Sequence, residues 1–232
     1  MVKNNIISII VAGGEGKRMG EKVPKQFLKI GNLPIIVRTL MKFQKSKTTD
    51  GIILVLPQKW KTYGKKLLEK YHLSKVIKVV NAGTTRQASV YNGLSAAAKF
   101  NPDFVIIHDG VRPFVNITLI EKSVVGAKKY GACATAITPK DTLFDKGKHT
   151  ILNREKIISI QTPQAFKFST IWEAHKKARK RKKWDFSDDS SLLLFYNIKT
   201  NFIKGERKNI KITDIEDLEI AQLISRDEKP FK

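Results

Sequence analysis

Apolar and polar positions alternate along the chain in two styles. Residues 6–11 form a short β-branched apolar run that stops at Ala12, Gly13 and Gly14, as expected of a strand buried on both faces and entering a turn. Comparable runs recur at 52–56, 76–80, 104–107 and 132–137. Between them, residues 35–43, 60–71, 86–99 and 117–130 repeat their apolar positions at helical spacing. Strands alternating with single helices require right-handed crossovers, which predicts an α/β fold of Rossmann-like type, a mainly parallel sheet covered by helices on both faces.

The rhythm breaks at 138–160, where Pro139, Asp141, Asp145, Lys146, Gly147 and Lys148 mark turns around short β-prone pieces. This stretch is expected to leave the body of the domain as a protruding β-arm. Helices then follow at 168–182 and 189–196, strands near 201–204 and 209–212, and a helix at 214–224. No internal repeat or low-complexity linker interrupts the pattern. With 232 residues and 41% hydrophobic content, one substantial core and a single domain over 1–232 are expected.

Composition narrows the chemistry. No apolar run approaches the roughly 20 residues that span a bilayer, and residues 1–5 are too short and polar to head a secretory signal, so a cytoplasmic protein without a membrane partner is expected. Cys133 is the only cysteine, which excludes an intramolecular disulfide and a cysteine-built zinc site. A formal charge of +23, from 44 Lys and Arg against 21 Asp and Glu, raises the local concentration of phosphates, nucleotides or nucleic acid without choosing among them. The densest run, 176–183, reads as a solvated basic face.

In an open parallel sheet the loop after the first strand is where ligands bind. Here Gly13, Gly14 and Gly16 allow close backbone approach to a phosphate, and Lys17 and Arg18 add charge. The loop is not a Walker A sequence, because Arg18 stands where Ser or Thr is needed after Gly16-Lys17. It is not a dinucleotide fingerprint either, since Met19 occupies the third small position. Lys25 follows Pro24 as another cation, and fixed cations around a glycine loop suit a triphosphate.

The string from Gly13 through Arg18 to Pro24, Lys25, Gln26 and Phe27 resembles the nucleotidyltransferases that activate sugars and sugar alcohols, in particular the 2-C-methyl-D-erythritol 4-phosphate cytidylyltransferases. Similar elements recur in order along nearly the whole chain: Gly83-Thr84-Thr85-Arg86-Gln87-Ala88-Ser89, His108-Asp109 with Arg112-Pro113-Phe114, Pro139 to Thr142, Arg154, Gln161 to Gln164, Ser187-Asp188-Asp189, and Asn209 to Thr213. Ala82 stands where a second glycine is usual, and Ser187 where threonine is.

Such a transfer mainly needs alignment of an acceptor phosphate with the α-phosphorus of the nucleotide and stabilisation of phosphate charge. Arg18 and Lys25 are expected as catalytic cations at the triphosphate, over a backbone cradle of Gly13, Gly14 and Gly16. Asp109 ends an apolar strand and is read as an unpaired carboxylate able to hold magnesium. Arg112 is read as gripping the acceptor phosphate, and His108 as structural. The resemblance further implies that Ala12, Gly83 and Ser89 surround cytosine and ribose and that Lys211, after a short strand, reaches the α-phosphate. It also implies that Thr162 and Ser187 complete the acceptor pocket, and that Thr142 and Arg154 reach a neighbour's site across a homodimer. Asp188 and Asp189 are expected to cap the following helix. The implied partners are CTP and a sugar-alcohol phosphate. A ribitol 5-phosphate cytidylyltransferase is the near alternative, and a basic nucleic-acid-binding module the distant one, supported by charge alone.

Overall fold

The computed structural model describes residues 4–14, 23–183 and 185–226. Its first half runs β1 (Ile6–Val11), the short pair β2 (Lys29–Ile30) and β3 (Leu33–Pro34), α1 (Ile35–Lys45), β4 (Gly51–Leu56), α2 (Lys61–Lys70) and β5 (Val76–Asn81). Then come α3 (Arg86–Ala97), β6 (Phe104–Asp109), α4 (Ile117–Tyr130), β7 (Ala132–Ile137), β8 (Leu143–Asp145) and β9 (Thr150–Leu152). The chain finishes with β10 (Ser159–Lys167), α5 (Phe168–Lys180), α6 (Asp189–Phe195), β11 (Asn201–Lys204) and α7 (Ile215–Arg226).

Seven strands form one sheet in the order β11-β7-β10-β6-β1-β4-β5. Neighbours are parallel except at β10, which runs antiparallel to both β6 and β7. Period-two alternation sends Ile6, Ile10, Ile52, Leu54, Leu56 and Ile106 to one face, under α1, α2 and α4. Ile7, Ile9, Val11, Ile53, Val55, Val105 and Ile107 go to the other, under α3, α5 and α6. Both faces are apolar over the central strands because both are covered, which is why β1, β4 and β6 read as nearly continuous hydrophobic runs, whereas the edge strand β5 is only partly buried and carries an exposed Lys78. The one polar side chain inside β1, Ser8, is satisfied by the Thr49 hydroxyl at 3.0 Å.

Three expectations change. The pattern did not show β10 as a strand, because Pro163 sits in its middle and proline normally argues against an interior strand. Here the register with β7 shifts between Gln161 and Gln164, so the proline occupies an irregularity rather than a ladder position. The excursion at 138–160 therefore ends early, since Ser159 and Ile160 already pair in the main sheet. Before them, β8 and β9 form an antiparallel hairpin that bonds to no other strand among the described residues. Residues 209–212 are not a strand either: Asn209 is buried and donates to the Thr162 carbonyl at 2.8 Å, while the Ile212 N–H reaches the Val111 carbonyl at 2.9 Å. Those two anchors tie the segment down without a ladder.

β6 ends on His108 and Asp109, two polar groups at the carboxyl edge of the sheet. The His108 ring is fully buried, 5.0 Å from Phe43, and its Nε2–H donates to the Arg112 carbonyl at 3.2 Å. Its Nδ1 has no hydrogen-bond partner among the described residues. Burial dominates and lowers the imidazole pKa to about 3, against the opposing pull of the Asp109 carboxylate.

The unfolded chain binds this proton near 6.5, so between about 6.5 and about 3 only the unfolded state takes it up. Stability contributed by His108 is complete above that window and is lost as pH falls, by about 1.4 kcal/mol per pH unit at most. Guanidinium unfolding at pH 7 and pH 5 should show a larger loss for the wild-type chain than for His108→Gln. Equal losses in the two proteins would remove His108 as the source.

Candidate active site

The carboxyl ends of β1, β4, β5 and β6 open into a cavity of about 870 Å³. One wall is the end of β1, from Val11 to Gly14, together with Lys25 and Gln26; the other is the turn from Ala82 to Arg86 with Ser89. Asp109 and Val111 form the floor after β6, and Lys211 and Thr213 close the side. A crevice beyond the carboxyl ends of parallel strands is where an open sheet binds its ligand.

The two walls are held by short-range contacts that side chains could not supply. A Cβ on Gly13 would lie 2.5 Å from the Ala82 Cβ, so the glycine is what lets the first loop touch the second. A Cβ on Gly83 would lie 2.8 Å from the Ala88 carbonyl carbon, which is backbone and cannot move aside. Ser89 Oγ accepts from the Gly83 N–H at 3.0 Å and donates to the Thr85 carbonyl at 2.9 Å. Thr85 caps α3 by accepting from the Ala88 N–H at 3.0 Å. This bonding folds the turn back on the helix start and leaves its backbone facing the cavity. Gln26, fully buried, donates to the Ala12 carbonyl at 2.8 Å and ties the segment after the glycine loop to the end of β1.

At the floor sits an ion cluster. Asp109 Oδ1 accepts from Arg86 Nε at 3.1 Å, and its Oδ2 is 3.0 Å from Lys211 Nζ and 3.6 Å from Arg112 Nε. Arg86 in turn gives Nη1 to Asp189 at 2.8 Å, and Asp189 also accepts from His175 Nε2 at 3.0 Å. Burial pushes the Asp109 carboxyl upward, but Arg86, Lys211 and Arg112 outweigh it and hold the group well below the usual carboxylate range. For Arg86, burial favours the neutral form and Asp189 and Asp109 reverse that, so its guanidinium is held cationic.

Of the predicted site residues, Ala12, Gly13, Gly14, Lys25, Gly83, Ser89, Asp109 and Lys211 all line this one cavity. Arg18 and Gly16 lie outside the described residues. Asp109 is not the unpaired carboxylate expected but the centre of three cationic contacts, because a lone charge at this depth would cost several kcal/mol. Arg112 stands beside it, yet its Nη1 is committed to the Asn209 carbonyl at 2.7 Å and it does not line the cavity. The Thr162 hydroxyl oxygen accepts from the Asp109 N–H at 3.1 Å. Ser187 is exposed and outside the cavity lining, as are Thr142 and Arg154, whose Nη1 donates to the Lys140 carbonyl at 2.9 Å. Lys211 follows an extended segment rather than a strand.

Asp188 caps α6 through a reciprocal box with Ser191, as expected. Asp189 does not serve as a cap: it is buried as the second carboxylate of the ion cluster. Arg86, Asp189 and His175 are the cluster members to which sequence reasoning gave no role in the site. One signal was available for Arg86, a cation placed in the first turn of a helix, where the backbone dipole disfavours it.

The densest basic run is largely engaged on the protein's own aromatic rings. Arg179 lies over Tyr91 at 4.5 Å, Lys176 over Trp172 at 5.7 Å, and Lys177 and Arg181 over Tyr196 at 6.0 and 5.7 Å. Among the described residues no helix is long and apolar enough to cross a membrane.

Comparison with known proteins agrees with this geometry. Residues 6–227 match the family model for 2-C-methyl-D-erythritol 4-phosphate cytidylyltransferase. A relative of that name from Clostridium botulinum (strain Eklund 17B / Type B) is 43% identical over 224 residues, covering 94% of this chain and 98% of its own. Among solved structures, 4-diphosphocytidyl-2C-methyl-D-erythritol synthase from Anaerococcus prevotii superposes with a TM-score of 0.84 at 32% identity, over 97% of both chains. The 2-C-methyl-D-erythritol 4-phosphate cytidylyltransferase of Thermus thermophilus gives 0.76 at 28% identity, over 94% of this chain and 98% of that one. With a cavity of the right kind, motifs in the right order and a family match that spans almost its full length, the chain belongs to the 2-C-methyl-D-erythritol 4-phosphate cytidylyltransferase family.

Proposed function

We propose that the chain transfers the cytidylyl group of CTP to the phosphate of 2-C-methyl-D-erythritol 4-phosphate, giving 4-diphosphocytidyl-2-C-methyl-D-erythritol and pyrophosphate, a step in isoprenoid precursor synthesis. The carrying observation is the juxtaposition of a glycine-built wall with Lys25, Arg86 and Lys211 around one cavity, in a chain whose relatives bear that activity in their names. The same relatives favour methylerythritol phosphate over ribitol phosphate as acceptor.

An oxygen of the acceptor phosphate attacks the α-phosphorus, the bond to the bridging oxygen breaks, and pyrophosphate leaves with the electron pair. The protein's task is alignment and charge stabilisation. Lys211 is assigned to the α-phosphate, and Lys25 and Arg18 to the triphosphate over the backbone of Gly13, Gly14 and Gly16. Ala12, Gly83 and Ser89 are assigned to the base and ribose, where fixed backbone groups suit a small pyrimidine.

Magnesium is the metal this reading implies. Among the described residues no three His, Cys, Asp or Glu side chains converge, and Asp109 is the single carboxylate lining the cavity. That fits an ion that takes one or two carboxylates and completes its shell from phosphates and water. Asp109 would hold it while sharing its oxygens with Arg86 and Lys211. When bound, the ion supplies neutralisation of phosphate charge.

The acceptor set of Asp109, Arg112, Thr142, Arg154, Thr162 and Ser187 is not gathered within one chain, and a homodimer in which the hairpin of one protomer reaches the other's site would gather it. Support comes from the hairpin itself, which among the described residues pairs with no other strand yet carries Phe144 at 50% and Ile151 at 68% exposure. An isolated hairpin of this size is marginal in water unless something packs on it. A cytoplasmic, dimeric enzyme is the resulting picture.

Three measurements bear on it. Lys25→Ala and Lys211→Ala should each cut the single-turnover rate about 100-fold or more while CTP affinity changes less; unchanged rates would end the assignment of those cations. Chelation should abolish pyrophosphate release and added magnesium restore it, and full activity in chelator would deny Asp109 a metal role. Arg112→Ala and Arg154→Ala chains should be nearly inactive alone, whereas mixing them should recover about a quarter of wild-type activity, since about half of randomly exchanged dimers carry one intact site. No recovery after verified exchange would return the acceptor site to a single chain.

A further inference from the structure

We propose that Asp189, braced by His175, is a positioning residue for the transfer reaction: it orients Arg86 against Asp109 and thereby sets the place of the Lys211 ammonium. The inference rests on the reading that Lys211 acts in catalysis.

Asp189 does not line the cavity and touches no position assigned to substrate. It is buried, with Oδ1 taken by His175 Nε2 at 3.0 Å and Oδ2 by Arg86 Nη1 at 2.8 Å. His175 is fully buried on α5, against the sheet face opposite α1 and α4. A continuous contact path thus runs from the core under α5, through the first residue of α6 and the first residue of α3, to Asp109 and Lys211 at the cavity.

Two anchors fix the plane of the Arg86 guanidinium. Nε points to Asp109 Oδ1 and Nη1 to Asp189 Oδ2, while the buried Nη2 has no hydrogen-bond partner among the described residues. Because Arg86 spends a single donor on Asp109, the second carboxylate oxygen is shared only by Lys211 at 3.0 Å and, more loosely, by Arg112 Nε at 3.6 Å. Without the charge at Asp189, the guanidinium fork would turn to grip both Asp109 oxygens, the geometry a planar fork prefers with a carboxylate. Lys211 would then compete with a second guanidinium donor for that oxygen and shift from its place at the wall of the cavity.

Stability alone is a poor reason for this arrangement. A buried ion pair is commonly no better than well-packed apolar residues of the same volume, and Arg86 occupies the unfavourable end of the α3 dipole. Such local conflicts are expected where geometry at a site is being specified.

The test combines single-turnover kinetics with a double-mutant cycle in the full-length chain. Asp189→Asn keeps the shape and removes the charge; it should slow transfer about 10- to 100-fold with less than about a threefold change in CTP affinity. In a Lys211→Ala background the same substitution should cost less than about threefold, since its effect passes through the missing ammonium. Equal losses in both backgrounds, or an Asp189→Asn enzyme at full rate beside an impaired Lys211→Ala enzyme, overturn this proposal alone. A Lys211→Ala enzyme at full rate overturns both this proposal and the catalytic reading beneath it. Should Asp189→Asn not fold, a His175 pair decides: His175→Gln retains a donor for Asp189 and should transfer at least about threefold faster than His175→Leu. Equal rates in that pair, with both proteins folded by thermal unfolding, would overturn the bracing role.

Discussion

A carboxylate buried at the end of the central strand β6 can persist as an anion only if cations surround it, and Asp109 draws Arg86, Arg112 and Lys211 from three separate parts of the chain. Desolvation opposes the charge, and the three partners reverse the balance. The same constraint shapes the site, because the cations collected around a buried anion stand preorganised beside the cavity at the sheet edge. Within the described cluster, three cations face Asp109 and Asp189, which leaves the group positive toward an incoming phosphate. Preorganised charge of this sort needs no rearrangement at the moment of reaction.

Sheet topology decides which segments can take part. Parallel strands place Gly13 and Gly14 after β1, the Gly83 turn after β5 and Asp109 at the end of β6 along one edge. The antiparallel strand β10 then enters between β6 and β7. Its irregularity at Gln161 to Gln164 brings the Thr162 hydroxyl to the Asp109 amide. The β8–β9 hairpin is inserted in the connection from β7 to β10, so that connection leaves the body of the fold before β10 brings Thr162 back to Asp109.

The large positive charge divides into two roles. Four cations of the 176–183 run, Lys176, Lys177, Arg179 and Arg181, lie over the rings of Trp172, Tyr91 and Tyr196 within cation–π distance. Arg86, Arg112 and Lys211, by contrast, are paired with buried carboxylate. A net charge of +23 also attracts polyphosphates over longer range. The charge is therefore consistent with phosphate substrates.

Legible along the chain alone were the α/β class, five of the strands with largely apolar runs, the helices between them and the cavity wall, since each depends on periodicity or on glycines within a few residues. The resemblance carried Lys211 and Ser89 to the same cavity although they lie more than 100 positions apart. What the linear pattern could not contain is pairing across distance. Asp109 reads as an isolated carboxylate because Lys211 and Arg86 approach it only in the folded chain. Asp189 reads as a helix cap because its local neighbourhood fits one, until His175 and Arg86 are packed against it. β10 escapes notice because Pro163 violates the local rule, and only the register with β7 shows a place where the rule does not apply. Local propensity and short spacing are written along the chain, whereas the partner that offsets a buried charge is chosen by tertiary contact.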